Sequence, residues 1–258
     1  MQRAKIFQRV IVLVAIILAI GCQKEKQPFA HIQLYLKDSQ VKIDSLLITI
    51  YSVELLSDSL RYSEKIILKK PRPINILQYT NDKDTLLAEL FYDAPFVERI
   101  IVTFGSSHWL YRKGKGYPIQ LNDTVYNFKL RNPIALKSET INKLFVDFDC
   151  YFALQKKQEK WILNPVVRLQ SADSTGAVRG KIKSSGEMPF VWLISAHDTL
   201  STLPRQDGFF YILYVPPGKY SLWVLVSEDE ENGIPTMIMD NIVVEPSRVT
   251  GVGTLLIN

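Results

Sequence analysis

Apolar residues fall into two patterns along this chain. One is an unbroken apolar run over residues 10–20, preceded by Arg3, Lys5 and Arg9 with no acid, and followed at once by the polar stretch 23–27. A bilayer-spanning helix needs about 20 apolar residues. This run is shorter, so residues 1–21 read as the charged and apolar regions of a cleaved secretory signal. The second pattern starts at Ala30, where short runs, several of them alternating apolar and polar, are separated by polar residues, Pro and Gly, with no stretch of helical period. Alternation at period two marks half-buried antiparallel strands. It predicts strands over 30–36, 45–56, 64–69, 73–79, 86–91, 97–104, 108–112, 117–121, 125–130, 143–150 and 161–169. Ile100, Val102 and Phe104 share one face of their strand, as do Tyr126, Phe128 and Leu130, and Leu144, Val146 and Phe148. Many short strands at this spacing predict an all-β protein, two antiparallel β-sandwich domains in tandem.

Charge changes the picture once the signal is set aside. The signal holds three of the 31 basic residues and none of the 26 acidic ones, leaving 28 against 26, a net +2. No basic stripe stands out after residue 26, so no nucleic-acid partner is expected. The 237 residues from Cys22 onward exceed one ordinary domain of roughly 100–200 residues. Cys22 and Cys150 are the only cysteines; with Cys22 at the signal's end no disulfide framework is expected, and the folds must stand on packing. Residues 22–29, polar and containing Pro28, read as a tether. The stretch 170–175, QSADST, is small and polar and places a contact-poor boundary between a domain at 30–169 and one at 174–258.

Leu18-Ala19-Ile20-Gly21-Cys22 resembles a bacterial lipoprotein lipobox, which implies cleavage before Cys22 and acylation of its sulfur. Two or more acyl chains anchor stably where one does not, so the resemblance implies a lipid-anchored protein of the bacterial cell envelope, with the outer membrane as its membrane. Gln23-Lys24-Glu25-Lys26 partly resembles the surface-export tags of bacteroidete lipoproteins but is less acidic, so the periplasmic face and the cell surface both stay open. Residues 31–169 resemble a lipoprotein family defined as a domain of unknown function, numbered four-three-eight-two. The features that carry the likeness are Ile74-Asn75-Ile76-Leu77, Leu144-Phe145-Val146-Asp147-Phe148-Asp149 and Leu163-Asn164-Pro165-Val166-Val167-Arg168. That family brings no known activity. Gly176 to Ile182, Asp207-Gly208-Phe209-Phe210-Tyr211 and Val215-Pro216-Pro217-Gly218-Lys219-Tyr220 resemble the regulatory-like domain of carboxypeptidases, a small prealbumin-like sandwich that serves its relatives as spacer or support.

Candidate chemistry is sparse. Asp147 and Asp149 sit two apart on one strand and project from one face. Such a pair could ligate Ca²⁺ or serve as acid and base in glycoside cleavage, but an exposed sheet face accounts for both acids without a site. Exchanging both for Asn is then expected to shift stability by well under about 1 kcal/mol. Cys150 shares the inward parity of Phe148 and is expected to pack as a small apolar group. His31, His108 and His197 are scattered, and no His, Cys or acid spacing matches zinc or a nucleophile with its base, so no cofactor, no metal and no catalysis are expected. Trp109, Tyr111 and Tyr117 flank a turn holding Lys113, Gly114, Lys115 and Gly116. Their rings could stack on a glycan or anchor an envelope protein, or pack on one sheet face. The acidic stretch 228–231 reads as a solvated hairpin loop. The sequence thus points to an anchored binding, adhesion or support protein, with a glycan-binding accessory as the alternative and an envelope hydrolase on the Asp pair behind it.

Overall fold

The computed structural model describes residues 29–38, 41–68, 71–80, 83–184, 186, 189–225 and 236–257. The signal, Cys22, the tether up to residue 28 and the acidic stretch 228–231 lie outside the described residues. Strands are numbered in chain order, and they form five sheets.

The first sheet takes β1 (Ala30–Asp38), β6 (Thr85–Tyr92), β11 (Ile141–Phe148) and β14 (Val167–Ser171) in the order β14-β11-β1-β6. The second takes β3 (Ile50–Ser57), β4 (Tyr62–Ile67), β7 (Phe96–Phe104) and β10 (Val125–Ala135) in the order β10-β7-β3-β4. Alternation does the work predicted of it: Ile32, Leu34 and Leu36 of β1 are fully buried, as are Ile100 and Val102 of β7 and Leu144, Val146 and Phe148 of β11. Phe104 meets Phe148 edge-on across the core, with centroids 6.1 Å apart. A third sheet of short strands completes this part: β2 (Ser45–Ile48), β5 (Ile74–Asn75), β8 (Trp109–Arg112), β9 (Lys115–Leu121), β12 (Leu154–Lys157) and β13 (Lys160–Leu163), in the order β12-β13-β9-β8-β2-β5.

Two predicted strands are each split. Residues 45–56 form β2 and β3 in different sheets because the ladder breaks at Thr49. There the backbone N–H donates to His108 Nδ1 at 3.3 Å, and the carbonyl accepts from Gly105 N at 2.9 Å. A Cβ on Gly105 would lie 2.6 Å from Thr49 Cγ2, so the crossing requires glycine. Residues 161–169 form β13 and β14, interrupted at Pro165, which has no N–H to give a ladder. Most strand pairs are antiparallel, as expected, but three are not. β1–β11 and β9–β13 are parallel pairs, as are the strands Gly176–Ser184 and Val249–Ile257, each joining strands far apart in sequence, which period-two alternation does not distinguish.

The last two sheets are β18-β15-β21 and β17-β16-β19-β20. Their strands are β15 (Gly176–Ser184), β16 (Phe190–Ile194), β17 (Thr199–Thr202), β18 (Phe209–Val215), β19 (Gly218–Leu225), β20 (Met237–Val244) and β21 (Val249–Ile257). They enclose a second apolar cluster of Val178, Val191, Phe210, Leu222, Val224 and their neighbours, separate from the cluster built by residues 30–169. The predicted Asp207-Gly208 turn is present. Gly208 has φ +83°, and a Cβ there would lie 2.2 Å from the Ile182 carbonyl oxygen.

The stretch QSADST is not contact-poor. Ser171 ends β14, Thr175 Oγ1 donates to the Ser171 carbonyl at 2.6 Å, and Ser247 N donates to the Thr175 carbonyl. Small polar residues here bond their own backbone in a tight turn, which composition alone cannot separate from a free linker. The two clusters also meet side to side. Phe145 of β11 stacks on Tyr214 of β18 with centroids 3.7 Å apart, and Tyr151 packs against Phe190 and Trp192 at 5.0 and 5.3 Å.

Candidate functional site

The acidic pair is where the structure departs most from expectation. Asp147 is 5% exposed and Asp149 fully buried, so neither lies on a solvated face. Asp147 sits near the end of β11, directly across from Arg168 of β14 on one side and Lys37 of β1 on the other. Asp149 has left the strand and caps the single turn α1 (Cys150–Ala153), accepting the Phe152 N–H at 3.4 Å. One guanidinium ties the two together. Arg168 Nε donates to Asp147 Oδ2 at 3.1 Å, its Nη2 donates to Asp149 Oδ2 at 2.6 Å, and Nη1 reaches the Thr199 carbonyl at 3.4 Å. Lys37 Nζ lies 3.9 Å from Asp147 Oδ1 and donates to the Leu213 carbonyl at 3.4 Å. Burial works to lower the Arg168 pKa, but the two carboxylates outweigh it and hold the guanidinium above its ordinary value.

The row Lys37, Asp147, Arg168 therefore faces the last two sheets, and both cations reach backbone carbonyls there. Two cations and two anions balance within it. Buried charges that are paired and hydrogen-bonded act as structural fixtures; of the four carboxylate oxygens only the buried Asp147 Oδ1 lacks a hydrogen bond, with Lys37 3.9 Å away. Among the described residues no three His, Cys, Asp or Glu side chains gather as a metal would need.

The aromatic trio does not form one surface. Trp109 and Tyr111 of β8 are 39% and 37% exposed, while Leu110 between them is buried. The hairpin register pairs Leu110 with Tyr117 and Tyr111 with Gly116, so Tyr117 points to the inner face. There it packs beside the core and meets Trp161 at 6.4 Å. The Tyr111 ring lies over Gly116, where a Cβ would come within 3.0 Å of it.

Cys150 is buried as expected, at the first position of α1. His31 pairs with Glu89 at 2.7 Å, and His197 lies in the turn before β17. His108 is the one with a consequence. Its Nδ1 accepts from Thr49 N–H and its Nε2 sits 2.8 Å from the Gly105 carbonyl, so the ring is neutral with its proton on Nε2. Burial lowers its pKa below 6.5, with the bond to Gly105 pulling partly back. Above about pH 6.5 folded and unfolded chains are both neutral at this ring, and its contribution to stability is fully present. As pH falls below that, the unfolded chain takes up the proton first and stability drops. The urea midpoint is expected to fall between about pH 7 and pH 5, and to fall less in His108→Gln, which keeps an acceptor for Thr49 N–H; equal falls in both proteins would remove His108 from the account.

Fold and site together define an all-β protein whose most conspicuous charged residues hold its parts together. The chain belongs to the family described as a domain of unknown function (DUF4382), whose profile matches residues 29–165. No curated protein matches it. Among solved structures it is similar to the Bacillus anthracis TIE protein, at 10% identity and TM-score 0.20, covering 90% of this chain and 34% of that one. A leucine-rich repeat protein from Bacteroides thetaiotaomicron VPI-5482 matches at 10% identity and TM-score 0.20, covering 90% of this chain and 26% of that one. BcpA, the major pilin subunit of Bacillus cereus, matches at 8% identity and TM-score 0.23, covering 88% and 69%. The chain thus spans about a third of the first and a quarter of the second. At these TM-scores the likenesses carry no functional argument.

Proposed function

We propose that this is a lipid-anchored protein of the bacterial cell envelope, a bacteroidete-type lipoprotein held through acylated Cys22, that binds or supports a partner and performs no catalysis. One observation supports the non-catalytic role above the others: both acids that a hydrolase would draw on are bound by one largely buried guanidinium. Residues 174–258 act as a prealbumin-like support domain, a view favoured by their two sheets around a separate apolar cluster. Glycan binding through Trp109 and Tyr111 is the second reading, favoured by their shared exposed face and without Tyr117.

The anchor is tested directly. Cys22→Ala is expected to abolish incorporation of labelled palmitate and to leave the chain as unprocessed precursor or release it from membranes. A variant that is processed and sediments with membranes like its parent would sink the lipoprotein assignment. Protease shaving of intact cells then places the wild type on the periplasmic or the outer face.

A further inference from the structure

The outer face of the sheet β18-β15-β21 carries a second arrangement of aromatic rings and charge, far from Trp109 in sequence and built on different strands. Arg179, Lys181 and Lys183 occupy alternate positions of the central strand β15. They therefore share one face at intervals of about 6.6 Å. Beside them on β18 stand Phe209 opposite Lys181 and Tyr211 opposite Arg179. On the other side, β21 places Gly251 opposite Arg179 and Thr254 opposite Lys181, with a register shift between that takes in Gly253. A Cβ added at Gly251 or Gly253 would meet nothing within 4 Å, so that flank is bare backbone. The result is a trough of about 500 Å³ with an aromatic wall, a cationic floor and an open glycine side.

Its charge is one-sided. β15, β18 and β21 contain three basic residues and no Asp or Glu. Arg179, Lys181 and Lys183 make no salt bridge among the described residues, although Lys181 lies close enough to Asp207 to help the Phe209 N–H hold its carboxyl below the usual range. Lys181 Nζ rests 4.6 Å from the Phe209 ring centroid and the Arg205 guanidinium 5.8 Å from that of Tyr211. The nearby acid, Asp207, is already occupied by Arg205 at 3.2 Å and by the Phe209 N–H at 3.0 Å. Cations resting on exposed rings are weakly held and turn readily to a stronger anion.

We propose that this trough binds an acidic polysaccharide, one bearing carboxylate or sulfate groups. Rings of the ligand stack beside Phe209 and Tyr211, its backbone lies over Gly251 and Gly253, and its anionic groups meet Arg179 and Lys181. Flat aromatic rings suit the apolar faces of sugars, and a trough of this size suits a segment of chain. A planar lipid surface does not enter a recess between a ring wall and an edge strand. The choice of a glycan over other polyanions rests on the export proposed above.

The test uses the purified full-length protein, so its outcome is independent of the Cys22 result. Binding to polygalacturonate and to heparin is measured by affinity electrophoresis and calorimetry, with dextran, poly(dT) and phosphatidylglycerol vesicles alongside. Saturable binding to at least one acidic polysaccharide, weakened by salt and absent with dextran, is expected. Arg179→Ala with Lys181→Ala should weaken it about tenfold or more. Gly251→Trp, which fills the trough without changing charge, should do likewise, while Trp109→Ala with Tyr111→Ala should leave it intact. Melting temperatures report that each variant is folded, and the exposed Arg179→Ala exchange decides the matter where Gly251→Trp does not fold. The proposal is overturned if neither polysaccharide binds, if trough variants bind like the parent, or if the trough variants lose poly(dT) or vesicle binding instead.

Discussion

Arg168→Leu is expected to destabilise the protein by about 3–5 kcal/mol, the range for breaking a buried charge pair by removing one partner. The side chain satisfies Asp147 and Asp149 at once, and its loss leaves two carboxylates in an interior from which water is excluded. Asp149 must still cap α1, and Asp147 keeps only Lys37 at 3.9 Å. Arg168→Lys should fall between, because a lysine carries the charge without the planar fork that reaches both acids. Urea unfolding monitored by tryptophan fluorescence reads the difference, since Trp161 and Trp192 flank the two apolar clusters. A loss below about 1 kcal/mol would show that the cluster is not what holds this seam. The same geometry replaces the small effect expected for an exposed Asp pair: with both acids buried, exchanging them for Asn leaves Arg168 charged, desolvated and without a counter-ion.

Phe145→Ala is expected to cost a similar amount, about 3–5 kcal/mol, as a buried aromatic truncation, and to change the shape of unfolding as well. Phe145 is 4% exposed although it points away from the core of its own sheet. Its cover is Tyr214, stacked at 3.7 Å, with Tyr35 of the neighbouring strand at 5.4 Å. Burial raises the Tyr214 pKa well above its ordinary value, so this phenol stays neutral and the stack persists through the physiological range. Calorimetry of the parent should show one transition, and the variant should show two or a broadened one as the apolar clusters melt separately. Residues 174–258 expressed alone should still give dispersed amide shifts, at reduced stability, because Tyr214, Phe190 and Trp192 lose their cover. An unfolded fragment would make the two clusters one obligate unit.

The strands were legible because alternation is written into sequences such as that of β1, where Ala30, Ile32, Leu34 and Leu36 are apolar and buried and His31, Gln33 and Tyr35 between them are not buried. Their partners were not. Parallel pairing of β1 with β11, and the chain's passage between sheets at Thr49, depend on contacts dozens of residues away that no local period encodes. The clamp had a visible signal, however. Leu144-Phe145-Val146 is continuous rather than alternating, which marks a strand buried on both faces. An acid two residues beyond such a run needs a cation, and Arg168 stands in the next strand of the sheet. Hairpin parity, which sends Tyr117 inward, follows from a register that the turn residues alone did not fix.

β1 is an inner strand, hydrogen-bonded to β11 over residues 31–38 and to β6 over residues 30–36. A pull applied to the chain upstream of Ala30 acts along the length of that strand. It must therefore shear both ladders together instead of peeling an edge one bond at a time, and forced unfolding is governed by the rate of that rupture. A tether attached there can carry mechanical load, of the kind flow or a moving partner would impose at a cell boundary, before the fold gives way.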